Sequence, residues 1–259
     1  MSQSLTSGDS PVVELLDVHK SFGRVYALEA VNMSLYPGEI VSLVGDNGAG
    51  KSTLAKIISG TERPDSGSRV LVDGQEVRGW NAGKARRLGI ETVHQNRALS
   101  EQQSIYANVF MGRERTNRLG FVKRKEEIAE TEALLRRIGY SSKVWTPRSP
   151  VNRLSGGERQ GVAIARAILF NSRVVLLDEP TTAMALSEAG EVLAFIRDLK
   201  AQGKSVVFIS HNPWDAHAVA DRFVIMGRGR VVFDGPKANM TTEEFIELLH
   251  GHAKSGRDR

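Results

Sequence analysis

EIVSLVGDNGAGKSTLAKIIS, running from Glu39 to Ser59, carries three signals in register. The apolar run Ile40 to Val44 reads as a buried strand. Directly after it, Gly45, Asp46, Asn47, Gly48, Ala49, Gly50, Lys51 and Ser52 fit G-x-x-x-x-G-K-[ST] without a mismatch. A helix then opens at Ser52, with Thr53 in the same phosphate-facing set. The glycines let several backbone N–H groups converge on one anion, and the helix start adds the positive end of its dipole. Lys51 is placed to reach the β- and γ-phosphates of a nucleotide, and the Ser52 hydroxyl to ligate Mg²⁺. Taken alone, the stretch licenses only the binding of ATP or GTP.

The remaining composition narrows the class. At 259 residues the chain is at the upper end for one domain, or one domain with an inserted subdomain. Cysteine is absent, so there is no disulfide framework and no thiolate metal site, and a reducing compartment is the easier reading. The opening residues, MSQSLTSGDSP, lack the apolar core of a signal peptide, and nowhere do about 18 apolar residues run together as a spanning helix needs. The chain therefore reads as soluble by itself. Its formal net charge is +5, but the basic residues are scattered among acidic ones, with short clusters at Lys84, Arg86 and Arg87 and at Lys123 to Lys125. No aromatic-interleaved basic stretch accompanies them, so no nucleic-acid partner is expected.

Along the chain, residues 1–10 read as a flexible N-terminus. VVELLDVHKSF and YALEAVNMSL read as two strands around Gly23-Arg24, and Ser68 to Val77 as a strand pair broken by Asp73-Gly74. These imply an antiparallel layer, whereas the strand before the cradle and the later ones imply a parallel, helix-flanked core. From about 96 to 150 the character turns helix-rich and polar, with Ile128, Leu134, Leu135 and Ile138 near one face, and Thr146-Pro147 and Ser149-Pro150 close this helical insertion. Gly157 to Phe170 reads as a helix, Val174 to Leu177 as a buried strand, and Ser187 to Gln202 as a helix capped by Ser187 and stopped by Gly203. Ser205 to Ile209 is a further strand, and Arg222 to Met226 with Arg230 to Phe233 form a closing hairpin. Thr241 and Glu244 make a capping box for a final helix ended by Gly251, leaving 252–259 as a flexible C-terminus. The expectation is one domain over 11–251.

VVLLDEP, Val174 to Pro180, supplies the second component of a nucleotide hydrolase. It sets Asp178 and Glu179 at the carboxyl edge of the sheet, where open α/β sheets bind ligands. Asp178 is placed to hold Mg²⁺ and Glu179 to polarise the attacking water. The third component is LSGGERQGVAIARA. Here Leu154, Ser155, Gly156, Gly157 and Glu158 open another helix whose amides face an anion.

With these motifs the chain resembles the ATP-binding-cassette ATPases from about Val12 to Gly251. The resemblance implies an α/β P-loop NTPase fold: a mixed, mainly parallel core sheet, an antiparallel β layer and an inserted helical subdomain. It implies that Phe22, in KSFG, stacks on adenine, that Gln95, in TVHQN, touches Mg²⁺ and the water, and that His211, after VVFIS, contacts the γ-phosphate. Leu154 to Glu158 would then complete the ATP site of a second chain, so the cassette would work as a homodimer or beside a similar subunit. In the loop Pro180 to Ala185, the family usually has Asp where this chain has Ala185, which removes a hydrogen-bond acceptor. His19, His94, His217, His250 and His252 match no motif, and Trp80, Trp145 and Trp214 read as packing residues.

The resemblance further implies ATP and Mg²⁺ as cofactors and ATP hydrolysis delivered to integral membrane permease subunits docking near Gln95 to Arg113. The chain would then sit on the cytoplasmic face of the inner membrane, with a periplasmic sugar-binding protein as an indirect partner. ALSEQQSIYANVFMGRE, the Thr-Thr-Ala loop and the short C-terminal end look like the ATP subunits of bacterial monosaccharide importers of the ribose, xylose or fructose type. An ABC ATPase for another small solute, or a non-transport cassette acting as a soluble switch, is the alternative. A DNA-handling cassette would need heptads or a zinc-bearing insertion between Lys51 and Ser155, and neither is present.

Overall fold

Strands buried on both faces lose the alternation of a half-exposed strand and read as continuous apolar runs, and here those runs form the centre of the molecule. The computed structural model describes residues 10–93, 99–137, 145–169, 172–182 and 184–255. Its larger sheet has the order β10-β9-β3-β8-β7-β6. In it β3 (Ile40–Gly45), β6 (Ile90–Val93), β7 (Val174–Asp178), β8 (Ser205–Ile209) and β9 (Arg222–Gly227) are parallel, and β10 (Arg230–Pro236) closes the edge antiparallel to β9.

The smaller sheet is antiparallel, with β1 (Val13–Phe22) between β2 (Val25–Leu35) and β4 (Arg69–Val72), and β5 (Gln75–Glu76) beyond β4. The main sheet divides its side chains by parity. Val41, Leu43, Val174, Leu176, Val207 and Ile209 pack toward the antiparallel layer and α1 (Lys51–Ile58). Val44, Val175, Leu177, Val206, Phe208 and Ile225 pack on the other side, in the cluster that includes α5 (Gly156–Leu169), α6 (Leu186–Ala201) and α7 (Pro213–Val219). α2 (Ala82–Arg87) leads into β6.

Between β6 and a 3-10 turn at Val151–Arg153, the described residues hold α3 (Ile105–Phe110), α4 (Arg124–Arg137) and two isolated antiparallel bridges, Ser104 to Pro150 and Thr116 to Val122. The buried face of α4 differs from the expected one. Leu134 and Leu135 are buried with Glu127 and Thr131, while Ile128 is only half-buried and Ile138 lies outside the described residues. Glu127 turns inward because its carboxylate accepts the Arg115 N–H at 2.9 Å.

Other elements also depart from the sequence reading. α6 starts at Leu186 with Ala185 at the N-cap, so Ser187 does not cap it. α8 (Thr242–Ser255) keeps the expected capping box, with Thr241 and Glu244 exchanging bonds of 2.7 and 3.2 Å, but it runs through Gly251. Gly251 does not take the left-handed conformation that would end a helix. Trp80 is buried, as expected of a packing residue, whereas Trp214 is 64% exposed.

Candidate nucleotide site

The cradle is a backbone device. Gly45 sits at φ 146° and Gly50 at φ 101°. A Cβ at Gly45 would lie 2.3 Å from the Met226 carbonyl oxygen, and one at Gly50 2.7 Å from that of Ala27. Both positions therefore require glycine for conformation and for space. Gly50 is the N-cap of α1 and provides no side-chain acceptor, so the first N–H groups of the helix stay available to a ligand. Asp46, Asn47 and Gly48 are exposed at the rim, Ala49 is buried beneath it, Ser52 is exposed and Thr53 half-buried.

Lys51 is only 6% exposed. Its ammonium donates to the carbonyl oxygens of Gly45 at 2.6 Å and Asp46 at 2.9 Å. Burial lowers its pKa from the ordinary lysine value, against the opposing pull of Glu179, Asp46 and Asp178. The cradle lysine and the carboxylates ending β7 thus share one electrostatic neighbourhood. Their donor set of a hydroxyl, Ser52, and a carboxylate, Asp178, fits Mg²⁺, which takes few protein oxygens when phosphates supply others.

The β7–β8 pairing fixes the carboxylate edge, because Asp178 stands opposite Ile209 in register. Glu179 continues past the strand at φ 50°, a left-handed backbone unusual outside glycine. Its N–H donates to the Ile209 carbonyl at 2.9 Å. Its carboxylate is held from two directions, by His211 Nδ1 at 3.2 Å and by the Thr182 hydroxyl, which donates at 3.2 Å. Next to it the Thr181 hydroxyl donates to Asp215 on α7 at 2.7 Å, tying this loop to the one carrying His211. Thr182→Val should keep the fold and release one side of Glu179. We expect a fall of about fivefold in kcat with KM unchanged, the kinetic worth of about 1 kcal/mol, measured by steady-state ATP turnover.

Ala185 leaves α6 without a side-chain acceptor at its N-cap; only the reciprocal half of a capping box survives, with Ala185 N–H donating to Glu188 at 3.4 Å. Ala185→Ser should restore the missing half. The expected gain is about 1 kcal/mol, a rise of about 2–4 °C in melting temperature by calorimetry.

The signature segment forms its own capping box. Ser155 N–H donates to Glu158 at 2.7 Å, and Glu158 N–H donates to the Ser155 hydroxyl at 3.2 Å. Trp145 donates its indole N–H to Glu158 at 2.7 Å, so this tryptophan orients the segment as well as packing. Leu154 and Gly157 are buried, Gly156 half-buried and Ser155 exposed. A Cβ on Gly157 would meet the Glu188 carboxyl carbon at 3.0 Å, so α5 and α6 touch at this glycine. α5 packs on α3, α4, α6 and β6. Among the described residues the hydrogen bonds of the signature segment stay local, and none reaches the cradle.

Phe22 is half-exposed at the end of β1, with the Lys20 ammonium 5.0 Å from its ring centroid and exposed Val25 and Tyr26 beside it. A cavity of about 410 Å³ lies between Gly45 to Ala49, His211, the end of β9 and Ile246, Leu249 and His250 of α8. Gln95 lies outside the described residues, as does Ala183. The sequence reading missed Thr181, Thr182, Asp215 and Glu188. Thr182 was within its reach, three residues after Glu179, but the others depend on contacts between separate elements.

A parallel sheet with a glycine cradle, paired carboxylates at its edge and a separate helix-opening signature defines a nucleotide-binding cassette. Residues 28–182 match the ABC transporter family, and the chain belongs to it, as one of its ATP-hydrolysing cassettes. It is 43% identical over 244 residues to the xylose/arabinose import ATP-binding protein of Sulfolobus acidocaldarius, covering 94% of this chain and 96% of that one. It is 42% identical to the fructose import ATP-binding protein of Rhizobium meliloti, covering 96% and 97%. A ribose import ATP-binding protein of Rubrobacter xylanophilus is 40% identical over 93% of this chain, which spans 48% of that relative. Among solved structures, a nucleotide-free ATP-binding cassette superposes with a TM-score of 0.80 at 23% identity over 95% of this chain and 97% of that one. A dimeric cassette bound to ADP and phosphate superposes with a TM-score of 0.74 at 26% identity over 86% and 98%.

Proposed function

We propose that this chain is the ATPase subunit of an importer for a monosaccharide of the xylose, ribose or fructose type. The observation that supports this most directly is the full-length likeness to two sugar-import ATP-binding proteins, joined to a site in which Lys51, Asp178 and Glu179 face one another electrostatically. In this reading two chains close head to tail, the cradle of one meeting Ser155 and Gly157 of the other across ATP. Among the described residues no hydrogen bond of the signature reaches the cradle, which supports such a half-site, and the dimeric relative supports the pairing.

Lys51 exchanges two neutral carbonyl acceptors for charged phosphate oxygens, a stronger class of hydrogen bond. Phe22 offers its exposed face to the adenine. Ser52 and Asp178, with Gln95, would hold Mg²⁺, which neutralises phosphate charge when bound. Glu179, gripped by Thr182 and His211, takes the proton of the attacking water, and His211 borders the γ-phosphate. Closure on ATP and opening after hydrolysis would drive permease subunits, with the sugar-binding protein acting from the far side. Among the described residues no helix is long and apolar enough to cross a membrane, which agrees with a peripheral subunit held by those partners at the cytoplasmic face.

The test is reconstitution of the chain with its permease in vesicles, measuring ATP turnover with loaded binding protein and xylose, arabinose, ribose or fructose. Stimulation by one of these sugars is expected. Stimulation confined to another class of solute would transfer the cassette to a different importer.

A further inference from the structure

The loop joining α3 to α4 exposes more apolar surface than its neighbours: Leu119 is 80% exposed, Phe121 68% and Val122 43%. The loop is nonetheless built. Asn117 Oδ1 accepts the N–H groups of Leu119 at 2.9 Å and Phe121 at 3.0 Å, and Asn117 N–H donates to the Phe121 carbonyl at 2.9 Å. Gly120, at φ 84°, closes the turn. Lys123 N–H returns to the Arg115 carbonyl at 2.7 Å, while the buried Glu127 anchors Arg115. The result is a short hairpin with Leu119 and Phe121 at its turn.

The same stretch, Met111 to Lys125, carries six cationic side chains and a single carboxylate, Glu114. Arg113, Arg115 and Lys123 are matched by Glu91, Glu130 and Glu126. Arg118, Arg124 and Lys125 are exposed and make no ion pair among the described residues. Apolar side chains at a turn, flanked by unmatched cations, combine the two features that bind a protein to an anionic membrane surface.

We infer that this hairpin is a membrane-surface contact, with Leu119 and Phe121 entering the headgroup boundary of an anionic bilayer and Arg118, Arg124 and Lys125 meeting its phosphates. Charge decides between this occupant and a permease. The cytoplasmic loops of membrane proteins carry an excess of Lys and Arg and would repel this loop, whereas the leaflet around them is negative. The inference rests on the importer reading only for bringing that leaflet within reach, and its test needs neither nucleotide nor permease.

The intact chain is floated with vesicles of phosphatidylcholine alone or with about one-third phosphatidylglycerol. Binding should require the anionic lipid and weaken with salt. Leu119→Ser with Phe121→Ser should lower it at least tenfold, and Arg118→Glu with Lys125→Glu should do the same, since each cation near such a surface is worth about fivefold. ATP turnover and melting temperature of these variants should match the parent, because all four side chains are exposed. Equal binding to both vesicle types, or variants that bind like the parent, would overturn the inference. So would absence of vesicle binding together with loss of permease association in the variants, which would make the hairpin a protein-docking surface.

Discussion

Glu179→Gln should lower ATP turnover by about 10²- to 10³-fold while leaving ATP affinity within about threefold of the parent. The amide preserves the shape of the side chain and can still meet His211 and Thr182, which lie 3.2 Å from its two oxygens. It cannot accept the proton of the attacking water, and loss of a positioned general base costs about 10² to 10⁴ in rate. Affinity should hold because the lost charge faces Lys51 and not the ribose or base, and removing it leaves the phosphates less repelled. Single-turnover hydrolysis and fluorescent-nucleotide titration, run on the same preparation, separate the two effects. Parallel loss of both would mean that Glu179 holds the site together and does not activate water.

Lys51→Ala should weaken ATP binding by about 100-fold. A hydrogen bond to a charged group contributes about 1.5–3 kcal/mol, and the buried ammonium is positioned to make more than one to the phosphates. The fold should survive, because the carbonyl of Asp46 is at an exposed residue that water can reach. Ser155→Arg provides the contrast. It places a long cation on the signature, whose bonds are local, so isolated chains should bind ATP as before while nucleotide-driven dimerisation is lost in size-exclusion chromatography. If both variants damaged binding by the monomer equally, the cradle and signature would belong to one site in one chain, and the half-site arrangement would fail.

What was legible in the sequence was what depends on short, fixed spacing. Gly45 to Ser52, Leu154 to Glu158 and Val174 to Glu179 each carry their geometry within one strand–turn–helix or one strand end, and β3, β7 and β8 appear where their apolar runs stand. Elements whose cause lies elsewhere were not legible. The start of α6 looked like Ser187 because serine is a good cap, yet the backbone turns at Ala185, where the acceptor is missing. Apolar periodicity placed Ile128 on the inner face of α4, but Glu127 goes inward instead because a loop amide needs an acceptor. The grip on Glu179 combines a short-range contact from Thr182 with one from His211, more than thirty positions away in the sequence.

The pairing of Asp178 with Ile209 has a wider consequence. Glu179 directly follows β7 and His211 stands two residues past the end of β8, so their approach is set by a hydrogen-bond ladder with five paired positions and no side chain facing water along most of its length. A slip of one residue would turn every buried side chain of those strands to the wrong face. The starting points of the two residues are therefore digital: they are set by whole steps of the ladder and persist until the sheet itself comes apart.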